Sequence, residues 1–179
     1  MKKGLTFLML VVLLGVFSGC AGTAPSAEFK KPIDNMNRLC NLDEAKVKVE
    51  VADGVPLNDF SRQRLESTLQ QKINEKKKNA QCKTTEKRNF VLNSKITRYD
   101  EGNAFARAML AGLGQMHLDG EFTLKLMLEN SLALAEFEVK KTFAWGGMYG
   151  GTTRMEDIEP AFAEGVAGAI VAQASDKKD

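Results

Sequence analysis

Patterns of period two and of helical period follow one another along the chain in the order β-α-β-β-β-α. That order predicts an α+β fold, a two-layer α/β sandwich with an approximately four-stranded sheet and two main helices on one face. Three observations carry the expectation. Lys46 to Val51 alternates polar and apolar side chains strictly, Leu65, Leu69 and Ile73 recur at i, i+4 and i+8, and Phe122 to Phe143 reads as two alternating runs about a turn.

The first strand ends at Asp53-Gly54-Val55-Pro56. Asn58 or Asp59 then caps a helix running to about Asn79, with Arg64, Glu66, Lys72 and Glu75 on a solvated face opposite the apolar stripe. Arg88 to Tyr99 is the second strand, with Phe90, Leu92, Ser94 and Ile96 on one side. Asp100-Glu101-Gly102-Asn103 is turn chemistry, and Ala104 to Leu113 has room for a short helix closed by Gly112 or Gly114. The third strand begins at Phe122. Glu129-Asn130-Ser131 turns the chain into a fourth, with Ala135, Phe137, Val139, Lys141 and Phe143 facing one way. Trp145 to Gly151 reads as a Gly-rich loop, and Met155 to Ala174 as a terminal helix packing Ile158, Phe162, Val166 and Ile170 on the sheet.

The chain has 179 residues, 44% hydrophobic and 27% charged, which suits one folded domain rather than a low-complexity chain or a large enzyme. Its start is different in kind. Lys2 and Lys3 precede an apolar run from Leu5 to Phe17, too short to span a bilayer, and small residues follow. This is the pattern of a secretory signal peptide, residues 1–19. Phe17-Ser18-Gly19-Cys20 resembles the bacterial lipobox, in which the cysteine thiol is acylated, with Phe17 where leucine is usual. An ordinary cleavage site after Ala21 or Ala24 is the alternative. With Ala21 rather than aspartate after the cysteine, the expected location is the periplasmic face of the outer membrane of a bacterium, held by lipid on Cys20. Residues 20–38 then form the lipidated cysteine and a flexible tether, 39–175 a single periplasmic domain, and 176–179 a charged tail.

Removing Lys2 and Lys3 from the 25 basic groups leaves 23, equal to the 23 acidic ones, so a nucleic-acid partner loses its electrostatic basis. With Cys20 acylated, Cys40 and Cys82 form an even pair, and an oxidising envelope favours a disulfide between them over two buried thiols.

No serine stands in a nucleophile elbow, and His117, the one histidine, reads as a loop residue beside Asp119-Gly120. Glu156, Asp157 and Glu159 gather where acids complement a helix N-terminus. Gly112-Leu113-Gly114 lacks the third glycine of a dinucleotide loop. The expectation is therefore a non-enzyme with no metal and no cofactor. Trp145, Met148 and Tyr149 are the candidate partner anchors, with capping of the core as the alternative for Trp145. Arg107 either bonds the carbonyls of its turn or faces a partner carboxylate. Phe105, Met109, Leu110 and Leu113 make a second apolar surface, for sheet, partner or membrane.

The segment Ile96 to Asn103, then Arg107, then Ala111-Gly112-Leu113-Gly114, then the paired strands and the Gly-rich loop resembles a family of bacterial envelope lipoproteins of unknown function. The resemblance spans Lys46 to Ala172. It departs at Met116 and His117, where the family often carries another small residue. It implies a compact α/β domain in the envelope and brings no activity. Combined with the residue reading, it yields an outer-membrane-anchored lipoprotein whose domain docks an envelope protein or self-associates. A carrier of a small ligand, glycan or lipid is the alternative.

Overall fold

The computed structural model describes residues 24–110, 113–127 and 132–173; the segment expected as signal peptide, Cys20, Gly112, the turn expected at Glu129–Ser131 and the charged tail lie outside them. Five strands, β1 (Ser26–Lys31), β2 (Glu44–Val51), β3 (Asn89–Asp100), β4 (Met116–Leu126) and β5 (Ala135–Phe143), form one sheet in the order β1-β5-β4-β3-β2. β2 and β3 are parallel, and every other neighbouring pair is antiparallel. The helices are α1 (Asp59–Lys77), α2 (Ala104–Met109), α3 (Gly147–Thr152) and α4 (Met155–Ile170). No helix among the described residues is long and apolar enough to cross a membrane.

The mixed α/β architecture is the one expected, with one strand more. Ser26–Lys31 lies within the segment read as tether, yet it pairs antiparallel with β5. Its pattern is weak because an edge strand buries little, but Phe29 sets its ring 5.3 Å from that of Phe137. A Cβ on Gly165 of α4 would come within 2.7 Å of Pro25, so the glycine lets the start of β1 lie against the helix.

The core lies between the sheet and the two long helices. Leu92 pairs with Leu124, and Phe122 with Phe137, on the covered face, and Phe162 of α4 packs 5.9 Å from Phe122. α1 starts where the Asn58 side chain accepts the Ser61 N–H at 2.8 Å, and it buries Leu65, Leu69 and Ile73 completely. Its other face is not merely solvated. Glu66 accepts the Val49 N–H at 3.0 Å, and Gln70 accepts from Val47 at 3.1 Å while donating to the Ala45 carbonyl at 2.9 Å. These side chains close the free edge of β2, where unpaired backbone would otherwise invite another strand.

Cys40 and Cys82 are joined by a disulfide, with their Cα atoms 5.0 Å apart and a sequence separation of 42. Closing such a loop contributes about 3–4 kcal/mol in the chain-entropy description. Buried Asp43 lies beside it, accepting the Cys40 N–H at 2.9 Å and both edges of the Arg88 guanidinium at 3.0 and 2.6 Å.

β4 starts at Met116, six residues before the expected Phe122, so His117 belongs to a strand and not to a loop. Its Nδ1 lies 3.1 Å from Thr142 Oγ1 on the open face of the sheet. A bulge at Thr97 gives β3 one residue more than β4 between Ile96 and Arg98. Strict alternation from Ile96 would carry Tyr99 to the open face; the extra residue turns it inward instead.

Candidate functional site

β3 and β5 end at the same end of the sheet, and each runs into a short helix there, α2 and α3. The segment expected as a Gly-rich loop is thus partly helical. The two helices touch closely: a Cβ on Gly151 would lie 2.8 Å from the Cβ of Ala108, and one on Gly150 would overlap the Trp145 carbonyl at 2.0 Å. The turn into α2 is equally tight. Gly102 has φ +60°, a Cβ there would stand 2.1 Å from the Gln115 carbonyl oxygen, and Asn103 caps the helix by accepting the Ala106 N–H at 2.8 Å. Gly102 and Gly114 allow backbone to cross backbone.

At the centre is Arg107, only 3% exposed. Its Nε donates to the Gly150 carbonyl at 2.8 Å, Nη1 to Glu101 and Gly114 at 2.6 and 2.9 Å, and Nη2 to Thr153 at 3.2 Å. One guanidinium therefore ties together the β3–α2 turn, the segment leading into β4 and the end of α3. Burial makes its charged form costlier and lowers its pKa. The reading of Arg107 as a contact for a partner carboxylate gives way to the carbonyl-bonding one, because the side chain is turned inward.

The apolar side chains of the same helices are turned outward. Phe105 is 73% exposed and Met148 89%; Met109, Leu110, Leu113 and Tyr149 are also exposed. Trp145 is less free, at 43%, with its ring 5.0 Å from that of Tyr149, which in turn lies 6.2 Å from Phe143. The three aromatic-loop candidates thus stand together beside the α2 row, forming an apolar cap on one end of the sheet.

Between this cap and the N-terminus of α4 lies an open cleft of about 490 Å³. Glu159, 1% exposed, anchors its base. It accepts two hydrogen bonds from Arg64 at 3.0 and 2.8 Å and one from the Tyr99 hydroxyl at 3.0 Å. Desolvation first, then the Glu159 charge, pushes the Tyr99 pKa up; the hydrogen bond to Glu159 holds Arg64 charged. Arg64 and Tyr99 play parts here that the sequence reading did not assign. The three clustered acids have separate tasks: Glu159 is buried, Asp157 accepts the Arg154 N–H at 2.8 Å, and Glu156 stands 3.5 Å from Arg64. His117 is on the open sheet face, apart from this network. Among the described residues no three metal-ligating side chains gather as a metal site.

No curated protein matches the chain. Solved structures of similar fold include a single-substitution variant of the PelC dodecamer from Paraburkholderia phytofirmans, with a TM-score of 0.52 and 11% identity over 83% of this chain and 99% of that one. The PelC dodecamer of the same organism in a second crystal form gives a TM-score of 0.48 at the same identity and coverage. Residues 29–147 match the domain of unknown function DUF4410, and with well over half its length inside that match the chain belongs to this family.

Proposed function

We propose that the chain is a lipid-anchored envelope protein, acylated on Cys20 at the outer membrane, whose domain works by docking rather than by catalysis. The partner is an envelope protein or a second copy of the chain. The observation that carries this reading is the exposure of Trp145, just before α3, and of Met148 and Tyr149 on it, with the end of that helix held by a buried arginine. Aromatic side chains on a rigid support make efficient anchors, because little conformational freedom remains to be lost. The similar fold of a protein that forms a dodecamer supports self-association.

The space between sheet and helices favours docking over carriage of a small ligand. Phe90, Leu92, Phe122, Phe137, Phe162 and Leu69 fill it with nearly or fully buried side chains. The cleft beside the cap is open, and its charged groups are largely committed to one another.

The test is crosslinking of the full-length protein in cells, followed by mass spectrometry. A reproducible envelope partner or a ladder of self-crosslinks is expected, and the Trp145→Ala, Tyr149→Ala double variant should lose it while keeping its unfolding midpoint. Monomer alone, where a known complex crosslinks well, would turn the reading toward the ligand carrier.

A further inference from the structure

α2 is an amphipathic helix worn inside out. From Ala104 to Leu113 the sequence holds one charged residue, Arg107, and that one is buried. Phe105 and Met109, one helical turn apart, point outward with Leu110 and Leu113 beyond them, all more than half exposed. The outer surface of this segment therefore carries no charge, and α2 is too firmly pinned to roll its apolar side under. Four bonds from Arg107, the Asn103 cap and the Gly151–Ala108 contact hold it as it stands.

The lipid anchor brings an apolar phase within reach of this end. Cys20 lies six residues before Ser26, so the linking chain spans about 20 Å at most. Ser26 pairs with Lys140, three residues from the end of β5, and β5 runs into the cap. The anchored cysteine and the cap can thus meet one plane, and a short link leaves the domain little freedom to stand away from it.

We infer that the outward face of α2, Phe105 with Met109, together with Leu110 and Leu113 after it, lies in the interfacial layer of the phospholipid bilayer to which Cys20 is anchored. The proposal rests on that anchoring and gives the α2 row a different occupant from Trp145 and Tyr149. Such insertion reaches about 5–10 Å, to the boundary of headgroups and acyl chains. It fixes the orientation of the domain, with this end of the sheet toward the membrane.

The test uses full-length lipidated protein in vesicles of phosphatidylethanolamine with a minority of phosphatidylglycerol. Trp145→Phe removes the single tryptophan, and Phe105→Trp then places a reporter on α2. Bromine-labelled lipids should quench about half or more of its emission, as expected for a ring at the headgroup–acyl boundary. A Thr123→Trp reporter on the open face of the sheet should stay unquenched. An unquenched Phe105→Trp in protein whose mass includes the acyl chains overturns this inference and leaves the docking reading standing. The same result with crosslinks between α2 segments assigns the row to a second copy. Absence of the acyl mass overturns both.

Discussion

Phe105 and Arg107 stand two residues apart on one helix, and the arginine is the one inside. The guanidinium satisfies four carbonyls from three segments, while the phenyl ring meets solvent. Arg107→Ala should therefore cost about 2–4 kcal/mol, since buried carbonyls lose charged donors and a cavity opens. Arg107→Lys should recover little, because an ammonium cannot reach the same fan of acceptors. Phe105→Ser should leave stability within about 0.5 kcal/mol. Urea unfolding of the three variants decides it, and a Phe105→Ser loss as large as that of Arg107→Ala would show that the ring belongs to the core.

Glu159 predicts a second asymmetry. Removing this carboxylate by Glu159→Ala strands Arg64 and Tyr99 beside an apolar core, at a cost of about 3–5 kcal/mol. Replacing the pair together, Arg64→Met with Glu159→Leu, should cost less than Glu159→Ala alone, because no charge is left unpaired. Tyr99→Phe should cost about 1–2 kcal/mol, because its hydroxyl donates to Glu159 and accepts from Arg64 at 3.1 Å. Thermal or urea unfolding of the double variant beside Arg64→Met and Glu159→Leu alone completes a double-mutant cycle; strict additivity between positions 64 and 159 would mean that the contact carries no coupling.

The periodic elements were legible because their physics is local. Leu65, Leu69 and Ile73 announce a helix, and the inward residues of β5 were readable one by one, including Lys141. The cysteine pairing was legible from the parity of Cys40 and Cys82 once an oxidising envelope was expected. β1 was not, because six residues at a sheet edge bury almost nothing, and Ala, Ser and Pro around them resemble a linker. Tyr99 was hidden by the Thr97 bulge, which a period of two cannot foresee. Arg107 could be placed inside only once three carbonyl-bearing segments were known to converge on it. The aromatic Gly-rich segment and the apolar residues Phe105, Met109, Leu110 and Leu113 could be picked out, but sheet, partner and membrane stayed open for the second group, and that the two meet at one end follows from β3 and β5 ending side by side.

Asp119 supplies the pH dependence. It lies on β4, paired across the sheet with Arg98 and Lys140, with His117 two residues away. Burial raises its pKa above the ordinary 3.8, and this outweighs the nearby cations. The folded state therefore binds this proton more readily than the unfolded chain, and the charged form costs stability at neutral pH. Asp119→Asn should raise the unfolding midpoint at pH 7, and the gain should shrink as pH falls through the raised value toward 3.8. His117 has the opposite sense: burial first, then Arg98, lowers its pKa below 6.5, so the unfolded chain takes the proton first and stability declines as pH falls below that value. His117→Gln should flatten the profile below about pH 6.5 without altering it above 7, because the imidazole is then neutral in both states. Unfolding midpoints of the parent and both variants at half-unit steps of pH separate the two groups. A stabilising effect of Asp119→Asn that persisted undiminished at pH 4 would mean that packing of the amide, and not the carboxylate's charge, is responsible.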